Sequence, residues 1–116
     1  MLRLSNFCNN WEFVAFYYIE PFVTEKQRKF YRTEIMRNVE EIYQILRNRG
    51  HKIRPKNPEE TLQRTIQNMR DKGWINFMDR GEYEITDEGY KILLKVKRKI
   101  QYFKDNKEGD WMEEYT

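Results

Sequence analysis

Hydrophobic positions along this chain fall into several stretches with helical spacing and one short stretch of strands, and their order carries most of the information. Between residues 5 and 20 the side chains of Phe7, Trp11, Phe13, Val14, Phe16, Tyr17, Tyr18 and Ile19 leave almost no polar face. A helix that is apolar all round belongs inside a core. Ser5 offers an N-cap and Pro21 a stop, because proline cannot continue a helix interior, so the pattern predicts a helix over residues 5–20. The run EFVAFYYIE also fits a buried strand, since short apolar runs of both kinds look alike. Thr24 and Gln27 have capping-box spacing and predict a short turn, and residues 30–32 fit a small strand.

Thr33 can cap a second helix, in which Ile35, Val39, Ile42 and Leu46 recur on one face, Met36 and Tyr43 widen the stripe, and Gly50 supplies the C′ residue. A basic loop, residues 51–56, follows. Asn57 at N-cap, Pro58 at N1 and Glu60 at N3 open a third helix over 57–72; Leu62, Ile66 and Met69 form its apolar seam and Gly73 ends it. Residues 74–77 and 82–85 predict two strands joined at MDRG, with Gly81 as the turn residue of positive φ. Thr86 or Asp87 caps a last helix with Tyr90, Leu93, Leu94, Ile100 and Phe103 inward. A capped helix, a hairpin and another cap, in that order, is how a winged helix-turn-helix presents a recognition helix and a wing to duplex DNA. The expected fold class is mainly α with a small antiparallel β wing, a winged helix-turn-helix over residues 1–104 followed by an acidic tail, 105–116.

Composition fits that expectation. At 116 residues, with 39% hydrophobic and 35% charged positions, the chain suits one soluble domain with a modest core. No apolar run approaches the roughly 20 residues of a membrane span. MLRLSNFCNN lacks the basic–apolar–small order of a signal peptide, so the expected location is cytoplasmic. Cys8 is the one cysteine and His51 the one histidine, which rules out an internal disulfide and leaves a structural zinc site short of ligands. Cys8 is expected as a small packed residue. The net charge of +3 conceals an asymmetry: residues 24–56 hold ten Lys/Arg against four acids and residues 87–104 six against two, while 105–116 is acidic. Two basic blocks of this kind suit a phosphate backbone, although a solvated helix face gives the same count.

At about 100° per residue, Leu62, Ile66 and Met69 point one way along the third helix. Glu60, Arg64, Gln67, Asn68 and Asp71 point the other, with Thr61 and Gln63 on the flanks. Arginine can bond guanine O6 and N7 together, and Asn or Gln can do likewise to adenine N6 and N7. An ordinary solvated face has similar residues; the hairpin and caps in the right order favour base reading. Lys52, Arg54 and Lys56 precede this helix, where phosphates would lie, and Arg80 at the wing tip is placed to reach backbone or minor groove. Lys95, Lys97, Arg98 and Lys99 fit a solvated outer face. The aromatic excess at the N-terminus suggests a homodimer through that helix and the last one. Catalysis finds little support: there is no Ser–His–Asp spacing and no glycine-rich phosphate loop. Glu82 and Glu84 share a strand face, yet no lysine is expected in register with them. A binding protein is therefore expected, without metal or cofactor.

At RTIQNMRDKGWINFMDRGEYEIT the chain resembles the C-terminal winged-helix domain of adenine-methylation-dependent restriction endonucleases, which recognise GATC. Trp11, the FYRTEIM segment, the Pro/Asn loop and the RGEYEI strand also match that pattern, and ITDEGYKILL resembles the last helix of many bacterial and archaeal winged-helix regulators. The similarity spans roughly residues 10–90, with RDKG its sharpest part. It implies sequence- and methylation-sensitive duplex binding by Gln63, Arg64, Gln67 and the wing. The nuclease domain that precedes this module in the family has no counterpart in this sequence, so cleavage is not carried over. The expected role is a transcriptional regulator or DNA-targeting module whose contacts are Lys52, Arg54, Lys56, Thr61, Gln63, Arg64, Gln67, Asn68 and Arg80; the alternative is a winged helix used for protein–protein interaction.

Overall fold

The computed structural model describes residues 5–37, 41 and 57–105. In chain order these form α1 (Asn10–Ile19), a 3-10 turn (Glu20–Phe22), β1 (Lys29–Tyr31), α2 (Arg32–Met36), α3 (Pro58–Asp71), β2 (Ile75–Asp79), β3 (Glu82–Ile85) and α4 (Asp87–Asp105). The described chain is mainly helical with one three-stranded antiparallel sheet in the order β1-β3-β2. The stripe expected from Val39 to Leu46, its Gly50 stop, the basic loop 51–56 and the tail beyond Asp105 lie outside the described residues.

Helix α1 is the centre of the core. Phe13, Val14, Ala15, Phe16 and Ile19 have no exposed surface, and the helix packs on α2, α3 and α4. The Phe13 ring meets Phe103 of α4 edge-on at 5.2 Å, and Phe16 meets Trp74 at 5.8 Å. Of the α1 apolar residues, Trp11 and Tyr18 alone stay partly exposed, while Phe7 before the helix and Phe22 after it are exposed. The helix begins later than residue 5. Asn9, not Ser5, is the cap: its Oδ1 accepts the Glu12 N–H, and Glu12 Oε1 accepts the Asn9 N–H, both at 2.8 Å. This reciprocal box satisfies two N–H groups that Ser5 cannot reach.

Two further boundaries differ from the sequence expectation. Thr33 lies inside α2 and does not cap it; the Tyr31 N–H donates to Glu34 Oε1 at 2.8 Å instead. In α4, Leu94 is half exposed, whereas Val96 is buried with Leu93, Ile100 and Phe103. The Thr24–Gln27 turn forms, closed by the Gln27 N–H on Thr24 Oγ1 at 2.9 Å.

Strand β3 is central, with Phe30 and Phe77 both opposite Tyr83, and Lys29 and Asn76 both opposite Glu84. Cross-strand partners share a face. One face therefore carries an aromatic row, Phe30–Tyr83–Phe77, graded from buried to half exposed; the other carries Lys29, Tyr31, Asn76, Glu82, Glu84 and Asp79. A bulge between Phe77 and Asp79 makes room for Met78, and Gly81 turns the hairpin at φ +71°.

The junction of α3, the hairpin and α4 is tight. Thr86 caps α4, accepting the Gly89 N–H at 3.1 Å while its hydroxyl donates to the Gly73 carbonyl at 2.6 Å. A Cβ on Gly89 would fall 2.1 Å from the Trp74 carbonyl oxygen, so only glycine lets α4 start this close to the turn.

Candidate nucleic-acid interface

Helix α3 divides into an inner and an outer half. Asn57 Oδ1 caps it through the Glu60 N–H at 3.2 Å, and Pro58 occupies the first turn, where its missing N–H costs nothing. Leu62, Ile66 and Met69 are buried, as the periodicity requires. Thr65 joins them, which the apolar pattern did not reveal; its hydroxyl is satisfied by donating to the Thr61 carbonyl at 2.8 Å. Glu60, Gln63, Arg64, Gln67, Asn68 and Asp71 are exposed, and Thr61 is intermediate. The expected base-reading residues of this helix therefore share one open side.

The polar groups on that side are joined by short-range contacts within the helix. Arg64 stands 3.6 Å from Glu60, with the side chains 70% and 66% exposed. Gln67 Nε2 donates to Asp71 Oδ1 at 3.2 Å, and Arg70 Nη1 donates to Gln67 Oε1 at 3.3 Å. The Glu60 carboxylate does not return to the cap as a box would; it faces Arg64.

Beyond the helix, Lys72 turns inward. Its ammonium meets Glu12 Oε2 and lies 4.6 Å from the Trp74 ring centroid. Glu12 is 1% exposed and Lys72 46%, so this pair fastens the end of α3 to α1. Burial, and next the Glu12 carboxylate, push the nearby Cys8 thiol up to about 12. Cys8 is thus a packed neutral thiol.

Arg80 sits at the hairpin turn, exposed, with its N–H on Asp79 Oδ1 at 2.7 Å. Arg32, absent from the residues proposed from sequence, is brought beside it: the Arg32 N–H donates to the Gly81 carbonyl at 2.9 Å. Arg70 is the second omission. Its guanidinium lies 5.5 Å from the Phe77 centroid and so links α3 to the β2–β3 hairpin. Its i+3 spacing from Gln67 was the available signal. The acids of the hairpin, Glu82, Glu84 and Asp79, share the sheet face opposite the Phe77 row. Lys52, Arg54 and Lys56 fall outside the described residues.

One expectation about the sheet is corrected. Lys29 lies opposite Glu84 and its ammonium is 3.4 Å from Glu82 Oε1, so a lysine does stand in register with the two acids. Strand β1 begins one residue earlier than the FYR segment suggested, and that residue is the lysine. Among the described residues, no three His, Cys, Asp or Glu side chains are grouped to hold a metal. Nor, among them, is any helix long and apolar enough to cross a membrane.

On α4, Lys95 lies 5.1 Å from the Phe7 ring and Lys97 and Arg98 are exposed. Lys99 departs from a fully solvated face: it is partly covered, and burial lowers its pKa. No protein-family model, curated protein or solved structure matches this chain, and the assignment of the surface rests on its own geometry and chemistry.

Proposed function

We propose that the chain is a winged helix-turn-helix domain that binds double-stranded DNA, with α3 in the major groove and the β2–β3 hairpin as the wing. It would serve as a transcriptional regulator or DNA-targeting module. The observation that carries this reading is the division of α3: a fully buried seam on one side, and Arg64, Gln67, Asn68 and Gln63 open on the other, followed directly by a hairpin with Arg80 at its turn. Among the described residues, the outer side chains are engaged by i,i+3 and i,i+4 contacts worth about 0.2–0.5 kcal/mol each. A bidentate base contact is worth about 1–3 kcal/mol, so exchanging one for the other is favourable. The described α3 face is not itself basic. Phosphate contacts fall to Arg80 and Arg32 at the wing side, and to Lys52, Arg54 and Lys56 by sequence position.

The test is a gel-shift titration on mixed-sequence duplex across salt. With about five phosphate contacts, affinity should fall roughly 10²–10³-fold from about 50 to 200 mM salt. A flat response rejects the proposal. Selection from methylated and unmethylated random duplex libraries then identifies the site.

A second reading, a protein-interaction domain, is favoured by one feature. The outer sheet face is acidic at Glu82, Glu84 and Asp79, and Tyr31 is 50% exposed on the same face. Light scattering that shows self-association, together with no duplex shift, would select it.

A further inference from the structure

We infer that Arg70 is a positioning residue for Gln67, and that the wing holds Arg70 in place through Phe77; the inference rests on the DNA-binding reading and deepens it. Gln67 is held at both ends of its amide: Arg70 donates to Oε1 and Nε2 donates to Asp71. A guanidinium only donates and a carboxylate only accepts, so these partners fix which end of the amide is oxygen. The amide has two acceptor and two donor positions; one of each is used within the helix and one of each remains. The remaining pair matches a base edge that offers an acceptor beside a donor, as adenine N7 and N6 do. Guanine N7 and O6 both accept, and this oriented amide cannot satisfy them together.

Arg70 is in turn fixed from the wing. Its guanidinium lies over the Phe77 ring at 5.5 Å, and Phe77 meets Tyr83 edge-on at 5.9 Å in the aromatic row. Phe77 is 50% exposed and buries little against the core. Its contacts instead connect the hairpin to the amide on α3. Wing position and amide orientation are thereby coupled.

The experiment uses duplexes selected from a random library by the unsubstituted chain, and varies the base pair whose preference Gln67→Ala abolishes. Arg70→Ala should lower adenine-over-guanine discrimination at that pair about five- to tenfold while leaving the salt slope unchanged. Phe77→Leu should act in the same direction but less, and Arg70→Lys should fall between Arg70→Ala and the unsubstituted chain. Arg70→Ala should add nothing once Gln67→Ala is present. Equal weakening on every duplex, with the salt slope reduced by about 1, would make Arg70 a phosphate contact and overturn the inference. No change on Arg70→Ala would also overturn it. If duplexes are selected but Gln67→Ala alters no base preference, the inference falls while DNA binding stands. If none is selected, both fall. Circular dichroism melts confirm that each variant is folded.

Discussion

Helix α3 is flanked by two acid–base pairs of the same chemistry and opposite character. Glu60 and Arg64, near its start, are 66% and 70% exposed and 3.6 Å apart. Glu12 and Lys72, at its end, join a 1% exposed carboxylate to a half-covered ammonium that also lies on Trp74. Water screens the first pair, so separating its partners costs little. The second carboxylate has left water and depends on its partners: the Asn9 N–H on one oxygen and Lys72 on the other. Environment, not residue type, therefore decides which charges a ligand can recruit. One end of the helix is anchored and the other is available.

The largest effect should come at the anchored end. Gly89→Ala drives a methyl into the Trp74 carbonyl, a backbone atom that cannot turn aside. A loss of about 3 kcal/mol or more is expected in urea unfolding, at the top of the overpacking range. A loss under about 1 kcal/mol would mean the junction between α4 and the turn after α3 is looser than described. Next, Lys72→Met should cost about 2 kcal/mol, less than for a fully buried pair because Lys72 is half exposed. Adding Glu12→Gln should restore much of it by removing the stranded charge. If the double variant is no better than the single one, the pair is not the anchor.

At the open end, Arg64→Ala should weaken binding to a selected duplex by about 1–3 kcal/mol while changing unfolding stability by less than about 0.5 kcal/mol. The reverse pattern would erase the distinction between the two ends. The smallest effect concerns Cys8. Its folded thiol is raised to about 12 by burial and then by Glu12, so the folded protein keeps a proton that the unfolded chain releases near the ordinary thiol value. Its contribution to stability is full below that ordinary value and is lost as pH rises toward the folded one. Cys8→Ala should flatten the decline in urea midpoint between about pH 8 and 10. An unchanged slope would place the thiol in contact with water.

Much of the α3–hairpin–α4 passage was legible because its signals are local. Asn57, Pro58, Gly73, Gly81 and Thr86 act within a few residues of themselves, through capping hydrogen bonds or a positive φ. The seam of Leu62, Ile66 and Met69 follows from helical periodicity alone. The start of α1 was less legible, since Ser5 and Asn9 are both good caps. Glu12, three residues after Asn9, settles the matter in favour of Asn9. The lysine facing Glu82 and Glu84 was missed because strand pairing over more than fifty residues of sequence leaves no local trace.

The sequence by itself determined that residues 57–105 run helix, hairpin, helix, roughly where those elements begin and end, and which side of α3 is greasy, because propensity, capping and periodicity act over a few residues. Only the tertiary structure decided that Lys72 closes on Glu12, that Arg70 lies over Phe77, that Arg32 sits beside the hairpin turn, and that Lys29 stands opposite Glu84. Each of these joins residues from different elements. Which of two similar side chains loses its water depends on what packs over it, and that is set only when the elements meet.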